Sequence, residues 1–377
     1  MHKYKVPFNS PIPQGNELQY VSEATANGHL SGDGPFTRKC SDLLKKILGV
    51  QQVLLTTSCT HALEMSALLL NLQPGDEIVL PSYTFVTTAN AFALRGVKPK
   101  FVDIRPDTLN LDERLLADHV TPRTKAIVPV HYAGIGCEMD VIMEIAEKKN
   151  IPVVEDNAHG LFGKYRGQFL GTFGVFSTQS FHETKNFHCG EGGALLINDE
   201  ELIGRAEIIR EKGTNRSRFI RGEVEKYTWV GLGSSYVLSD LLAGFLYGQL
   251  EMTEKILHQR RAVWDFYYEN LRDWADRRGS RLPTVPGQCE QSYHMFYIVM
   301  QSHEQRDGLI THLRNNGINS VFHYQPLHLS EMGEKFGGKI GDCPVTEYVA
   351  PRLLRLPFYN QMTPEQLELV VKTVLEF

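Results

Sequence analysis

The chain has 377 residues, 42% of them hydrophobic and 22% charged, with a formal net charge of −5. That is room for one large domain and a smaller one in an ordinary globular protein, and the acidic balance argues against a nucleic-acid-binding surface while leaving room for a local basic pocket. No apolar run is long enough to span a bilayer, and Met1-His2-Lys3-Tyr4-Lys5-Val6-Pro7 lacks the apolar centre of a signal peptide, so a cytoplasmic protein without membrane contact is expected.

Short apolar runs recur at 53–55, 78–80, 100–102, 126–130, 153–154, 175–177 and 194–197. They lack polar alternation, which predicts strands buried on both faces. Helical spacing lies between them, as in His61-Ala62-Leu63-Glu64-Met65-Ser66-Ala67-Leu68-Leu69 and, after Asp140, in Ile142, Ile145 and Ala146. Such a βα series predicts an α/β fold with a mostly parallel sheet covered by helices. Ligands in these sheets bind beyond the carboxyl ends of strands, where Asp156 and residues 57–60 and 82–85 fall. The series stops near residue 200. Ile256, Val263, Tyr267, Leu271 and Trp274 then recur at helical spacing up to Gly279, a helix stop. A strand at 295–300 and a helix ending before Gly317 follow. The expected division is a large domain over 1–250 and a small α/β domain over 251–377. The six cysteines, at 40, 59, 137, 189, 289 and 343, form no Cys-x-x-Cys pair, which fits reduced thiols; no metal site is assigned.

The most informative stretch is Ser180-Phe181-His182-Glu183-Thr184-Lys185-Asn186, one lysine among hydroxyl residues between two strand-like runs. Upstream, Val153-Val154-Glu155-Asp156 ends a strand on an acid, and Thr57-Ser58-Cys59-Thr60 opens a helix. A lysine amine, a strand-end carboxylate and a helix N-terminus with hydroxyls are what pyridoxal 5'-phosphate needs: a partner for its aldehyde, a counter-charge for its ring nitrogen and a cup for its phosphate. With Asp156-Asn157-Ala158-His159, Thr60-His61-Ala62-Leu63 and Pro81-Ser82-Tyr83-Thr84-Phe85-Val86-Thr87-Thr88-Ala89-Asn90, this frame resembles the DegT/DnrJ/EryC1 family of sugar-nucleotide aminotransferases. These are fold type I enzymes with a large seven-stranded domain and a smaller C-terminal one. The resemblance runs from Pro7 to the C-terminus. Through Ser31-Gly32-Asp33-Gly34, Val130-His131-Tyr132-Ala133-Gly134, Arg210-Glu211-Lys212-Gly213-Thr214-Asn215-Arg216 and Gly233-Ser234-Ser235-Tyr236, the chain is most similar to the subgroup that makes dTDP-4-amino-4,6-dideoxy-D-galactose.

The resemblance implies roles. Lys185 would bind the aldehyde and then carry a proton, which requires a neutral amine and hence a lowered pKa. Asp156 would pair with the ring nitrogen, and Glu155 would be structural. His159, where many members have Gln, would meet the phenolic oxygen. Cys59, Thr60 and Ser180 would hold the phosphate, and Phe85 would stack on the ring. Ser235 stands where many relatives have an Asn that reaches the neighbouring subunit's cofactor, and Val237 where they have an Arg. His182, Lys212, Arg216, His323, Tyr324 and His328 are the candidates for the sugar nucleotide, since lysine and arginine suit a diphosphate. Each type also has a plain structural use, such as helix capping for Ser, Thr and Asp. The implied activity is amination of dTDP-4-keto-6-deoxy-D-glucose by L-glutamate in a homodimer. Amination at C3, the opposite face at C4, or a non-catalytic binding protein on the same fold stay open. Gly190-Glu191-Gly192-Gly193 leads into a strand and lacks the third glycine of a dinucleotide fingerprint.

Overall fold

The computed structural model describes residues 4–377. The apolar runs form β1 (Gln52–Thr56), β2 (Glu77–Pro81), β3 (Lys98–Val102), β4 (Thr124–Ile127) and β5 (Val154–Asp156), then a small hairpin of β6 (Lys164–Tyr165) and β7 (Gln168–Phe169), then β8 (Phe176–Ser180) and β9 (Gly193–Ile197). Hydrogen bonding orders them β3-β2-β4 and β5-β8-β9-β1. Parallel bridges Ile127–Val153 and Val130–Asp156 join the two groups across β4 and β5. The main sheet is therefore seven strands wide, and β9 alone runs against its neighbours β1 and β8. The run at 126–130 is a strand only as far as Ile127; Pro129 has no N–H to continue a ladder.

Helices α1 (Glu17–Ala26), α2 (Pro35–Leu48), α3 (Cys59–Leu69), α4 (Val86–Ala93), α5 (Glu113–His119), α6 (Met139–Lys149), α7 (Ile203–Arg210), α8 (Arg216–Ile220) and α9 (Asp240–Leu250) accompany the sheet. Side-chain alternation explains why its strands read as continuous apolar runs. Leu54, Leu195 and Ile197 face one buried cluster with Leu63, Ile78 and Phe92. Their neighbours Val53, Leu55, Ala194 and Leu196 face another, with Phe36, Leu44 and Leu246. Both faces of β1 and β9 are covered, so both parities must be apolar.

The long helix expected from residue 256 is α10 (Thr253–Arg278), closed by Gly279 in the left-handed conformation at φ 60°. It leads past β10 (Cys289–Glu290), which pairs with β6, to a sheet of β11 (Tyr297–Val299), β12 (Val321–Phe322) and β13 (Leu353–Arg355). The helices here are α11 (His303–Asn315), α12 (Glu331–Lys335), α13 (Pro344–Val349) and α14 (Pro364–Leu375). Val263, Tyr267, Leu271 and Trp274 of α10 bury against Phe296, Leu313, Leu354 and Val370. Val6 joins that cluster, so the N-terminal segment packs with the C-terminal part of the chain. A mixed cluster of Tyr83, Ile104 and Tyr132 with Tyr297, Val349 and Leu353 lies between the two parts.

Candidate active site

The carboxyl ends of β1, β2, β5 and β8 open onto one cavity of about 830 Å³. Its lining includes Cys59, Thr60, Phe85, Asp156, His159, Ser180, His182, Lys185, His323 and Tyr324.

One wall is an anion cup. Ser58 caps α3, its hydroxyl accepting the His61 N–H at 3.1 Å. The first N–H groups of α3 have no helical partner and carry the positive end of the helix dipole. Ladder register sets Ser180 opposite Gly193. A Cβ on Gly193 would stand 2.3 Å from the Ser58 carbonyl carbon and 2.4 Å from the Cys59 nitrogen. Glycine is what allows β9 to approach the helix start so closely, and it brings Ser180 beside that cup.

Across the cavity, Asp156 ends β5. One carboxylate oxygen accepts the Thr88 hydroxyl at 2.7 Å, the other the Ala158 N–H at 3.2 Å, and Thr84 is 2.8 Å from Thr88. Burial raises its pKa, and the Thr88 hydroxyl and the Ala158 N–H oppose that rise. Glu155, one residue back, points to the other side of the strand. It accepts the N–H groups of Gly171, Phe173 and Gly174, each at 2.8 Å, and meets His131 Nε2 at 2.9 Å. These bonds tie the 171–174 loop and His131 to β5.

Lys185 lies between these walls. Burial lowers its amine to about 8; Cys59 and Asp156 oppose the shift and Arg355 adds to it. Half the amines are thus neutral near pH 8, which suits attack on an aldehyde. The loop is tied down by its neighbour Asn186, which donates to the Ser292 carbonyl at 2.6 Å and meets His294 Nδ1 at 2.9 Å.

The remaining wall is aromatic. His159 stacks on His294 with centroids 4.2 Å apart, and its Nε2 meets the Tyr324 hydroxyl at 3.2 Å. His323 lies over Tyr324, at 3.6 Å between centroids, and its Nδ1 meets the Tyr132 hydroxyl at 2.6 Å. Burial drives His159, His294 and His323 well below the ordinary histidine range, so all three are neutral near pH 7.

The family model for DegT/DnrJ/EryC1/StrS aminotransferases matches residues 11–375. The chain belongs to that family. It is 34% identical over 348 residues to the uncharacterised protein MJ1066 of Methanocaldococcus jannaschii, covering 90% of this chain and 89% of that one. Among solved structures, the aminotransferase TlmJ from Streptoalloteichus hindustanus superposes with a TM-score of 0.88 at 31% identity, over 100% of this chain and 98% of that one. Spr1654 of Streptococcus pneumoniae in its PMP form, a protein provisionally named a sugar aminotransferase, superposes at 0.92 with 26% identity, over 99% and 98%. The architecture is fold type I, and the cofactor is pyridoxal 5'-phosphate.

The cavity fits that cofactor on three counts. The cup at α3 and Ser180 suits a dianionic phosphate. Among the described residues, the buried Asp156 carboxylate has hydroxyl and N–H partners but no bonded cation, which leaves room for a pyridinium. The buried His159 Nδ1 likewise has no hydrogen-bond partner among the described residues, and a phenolic oxygen would give it one.

Four expected site residues do not reach the cavity of their own chain. His328 is fully buried between the Ser82 hydroxyl, 2.6 Å from its Nδ1, and the Glu347 carboxylate, 3.0 Å from its Nε2. It pins the 3₁₀ turn Leu327–Leu329 to the end of β2 and does not line the substrate space. Lys212 and Arg216 pair with Glu211 at 3.4 and 2.9 Å, and Ser235 is an exposed residue bridged to the Glu211 backbone. In the other direction, the sequence reading missed Thr88, Asn186, His294 and Arg355. For Arg355 a signal existed: a lone charge in the apolar run Leu353-Leu354-Arg355-Leu356.

Proposed function

We propose that this chain moves an amino group from L-glutamate to C4 of dTDP-4-keto-6-deoxy-D-glucose, giving dTDP-4-amino-4,6-dideoxy-D-galactose. What carries this reading is the convergence of Lys185, Asp156 and Ser180 on one cavity in a chain of the aminotransferase family. The sugar class is supported by the likeness to Spr1654, and the galactose configuration by the motifs at 31–34, 130–134, 210–216 and 233–236.

When bound, pyridoxal 5'-phosphate supplies an aldehyde and an electron sink. In our reading Lys185 would be the residue that binds the aldehyde, and its Nζ, when free, would carry a proton to and from the reacting carbon. Asp156 keeps the ring nitrogen protonated, with Thr88 and the Ala158 N–H holding the carboxylate charged. Cys59, Thr60 and Ser180 seat the phosphate. His159 orients the phenolic oxygen, and Phe85 covers the ring. His182, His323 and Tyr324 line the space left for the sugar, while Ser235, Lys212 and Arg216 belong to a partner's site in a homodimer. We further propose residues 1–250 and 251–377 as the two domains, and a cytoplasmic setting, which suits six free cysteines.

The test is a panel of keto-sugar nucleotides with L-glutamate, followed by NMR of the product. Small couplings of H4 to H3 and H5 are expected, since the amine is axial. Large couplings would mean the glucose configuration, an amine at C3 would overturn the regiochemistry, and no amination of any keto sugar would overturn the substrate class.

A further inference from the structure

The segment 292–294 belongs to the C-terminal part of the chain, yet its His294 lines the cavity. Ser292 fastens the segment: its N–H donates to the Gly134 carbonyl at 3.0 Å and its hydroxyl to the His159 carbonyl at 2.5 Å. Arg260 of α10 fastens it a second time. Its buried guanidinium donates to the carbonyls of Tyr293 at 2.8 Å and His294 at 2.6 Å, and to Asn360 Oδ1 at 2.8 Å. Tyr293 is held between these bonds at φ 55°, a left-handed conformation that a residue with a Cβ keeps only where its surroundings impose it.

The result is one fixed imidazole. His294 is 7% exposed and stacks on His159. Burial keeps it neutral near pH 7, so only one of its ring nitrogens carries a hydrogen. Asn186 decides which one. Its side-chain nitrogen is committed to the Ser292 carbonyl at 2.6 Å, so its oxygen faces His294 Nδ1 at 2.9 Å and accepts. Nδ1 is therefore the N–H donor. Asn186 is 5% exposed, so neither end of this bond can turn to water instead.

We propose that His294 is a positioning residue: through its bond to Asn186 it sets the backbone that carries Lys185, and so the place of the reactive amine. This rests on the transaminase reading above and adds to it the group that aligns the lysine. The Lys185 side chain is long and flexible, and its Nζ can be no better placed than the peptide it hangs from. Within the loop, the Lys185 N–H donates to the His182 carbonyl at 2.9 Å. A turn bonded only to itself can shift as a unit. Asn186 fixes this one against residues 106 and 108 positions further along the chain.

Two variants of the whole protein separate positioning from packing. His294→Phe keeps a ring over His159 and loses the donor. His294→Asn loses the ring and keeps an N–H in the place of Nδ1. The first readout is the rate at which the apoprotein takes up pyridoxal 5'-phosphate on Lys185, fixed with borohydride and mapped to the residue. Uptake needs neither amino donor nor sugar, so it judges the positioning even where the proposed substrates are wrong. His294→Phe should slow uptake about tenfold or more and lower kcat to match, with KM for both substrates within about threefold of native. His294→Asn should restore most of both rates. A packing role predicts the reverse order, with phenylalanine the better substitute. Asn186→Ala breaks the same bond from its other end and carries the test should His294→Phe not fold. The double variant should be little worse than Asn186→Ala alone. Native-like uptake in His294→Phe, asparagine no better than phenylalanine, or fully additive losses in the double variant would each overturn the assignment. So would a native label on a lysine other than Lys185.

Discussion

Asp156 is buried and Lys185 half-buried at the cavity wall, and desolvation acts on them in opposite senses. It discourages the ammonium of Lys185 and the carboxylate of Asp156. For the lysine the sign gives a pH test. The neutral amine grows as pH rises through the folded value, so covalent uptake of pyridoxal 5'-phosphate by the apoprotein should climb through about pH 8 and then level off. A climb that continues toward the value of 10.5 for a free lysine would contradict the burial argument. The same shift means the unfolded chain holds this proton more tightly. The cost to apoprotein stability is therefore full below about pH 8 and is relieved as pH rises toward 10.5. For the acid, Thr88→Val removes a hydroxyl that stabilises the charged form. Loss of a hydrogen bond to a charged group costs about 1.5–3 kcal/mol, so kcat should fall about tenfold or more. Cofactor should remain bound through the phosphate cup. Unchanged kcat would show that Asp156 needs no such support. Contiguous motifs made Lys185, Asp156 and Ser180 legible in the sequence, because Asp156 and Ser180 end strands that apolar runs announce and Lys185 follows in the loop just beyond β8. Thr88 and His294 act through contacts 68 or more residues away, Thr88 with Asp156 and His294 with Asn186, and such contacts are not visible in the neighbouring sequence. His328 was misread for the converse reason. Its polarity is visible in the sequence, but its inward turn onto Ser82 and Glu347 is not.

At the next level, strands and helices were readable where burial on both faces leaves an uninterrupted apolar run. Their ends were less so, as at Ile127 and at the short β11. The order of strands was not readable either: β1 sits at the far edge beside β9, a placement that depends on pairing between segments some 140 residues apart. That pairing matters for the site, because β9 delivers Gly193 to the start of α3. Gly193→Ala should push the helix start away from Ser180. The nearest atoms are backbone, at 2.3 and 2.4 Å, and cannot swing aside. The expected loss is about 1–3 kcal/mol of stability, as for overpacking elsewhere, together with weaker cofactor retention. Thermal melting of the apoprotein and titration with pyridoxal 5'-phosphate measure the two effects. A variant that binds cofactor as tightly as the native protein would show that the cup does not depend on this approach.

Assembly is where the unplaced residues find a use. Lys212, Arg216 and Ser235 lie on one stretch of chain outside their own cavity. The same stretch exposes large apolar side chains: Ile220 is 62% exposed, Trp229 75% and Leu232 70%. An exposed apolar group of this kind is a marker of a contact surface, and a two-fold dimer is the commonest way to cover one. If this segment reaches a partner, a polar segment useless to its own site would complete the partner's, and the sugar nucleotide's diphosphate would gain the cations that the cavity itself lacks. Leu232→Asp tests the idea cleanly, since a residue so exposed contributes little to the fold of its own chain. The native protein should scatter light as a dimer at assay concentration. The variant should scatter as a monomer with a near-native apoprotein melting curve and should lose most turnover with the keto-sugar nucleotide. Mixing it with Lys185→Ala chains then distinguishes a shared site from mere stabilisation: activity should return in heterodimers if each site draws on both chains. A fully active native monomer, or a Leu232→Asp protein that remains dimeric and active, would place the contact surface elsewhere.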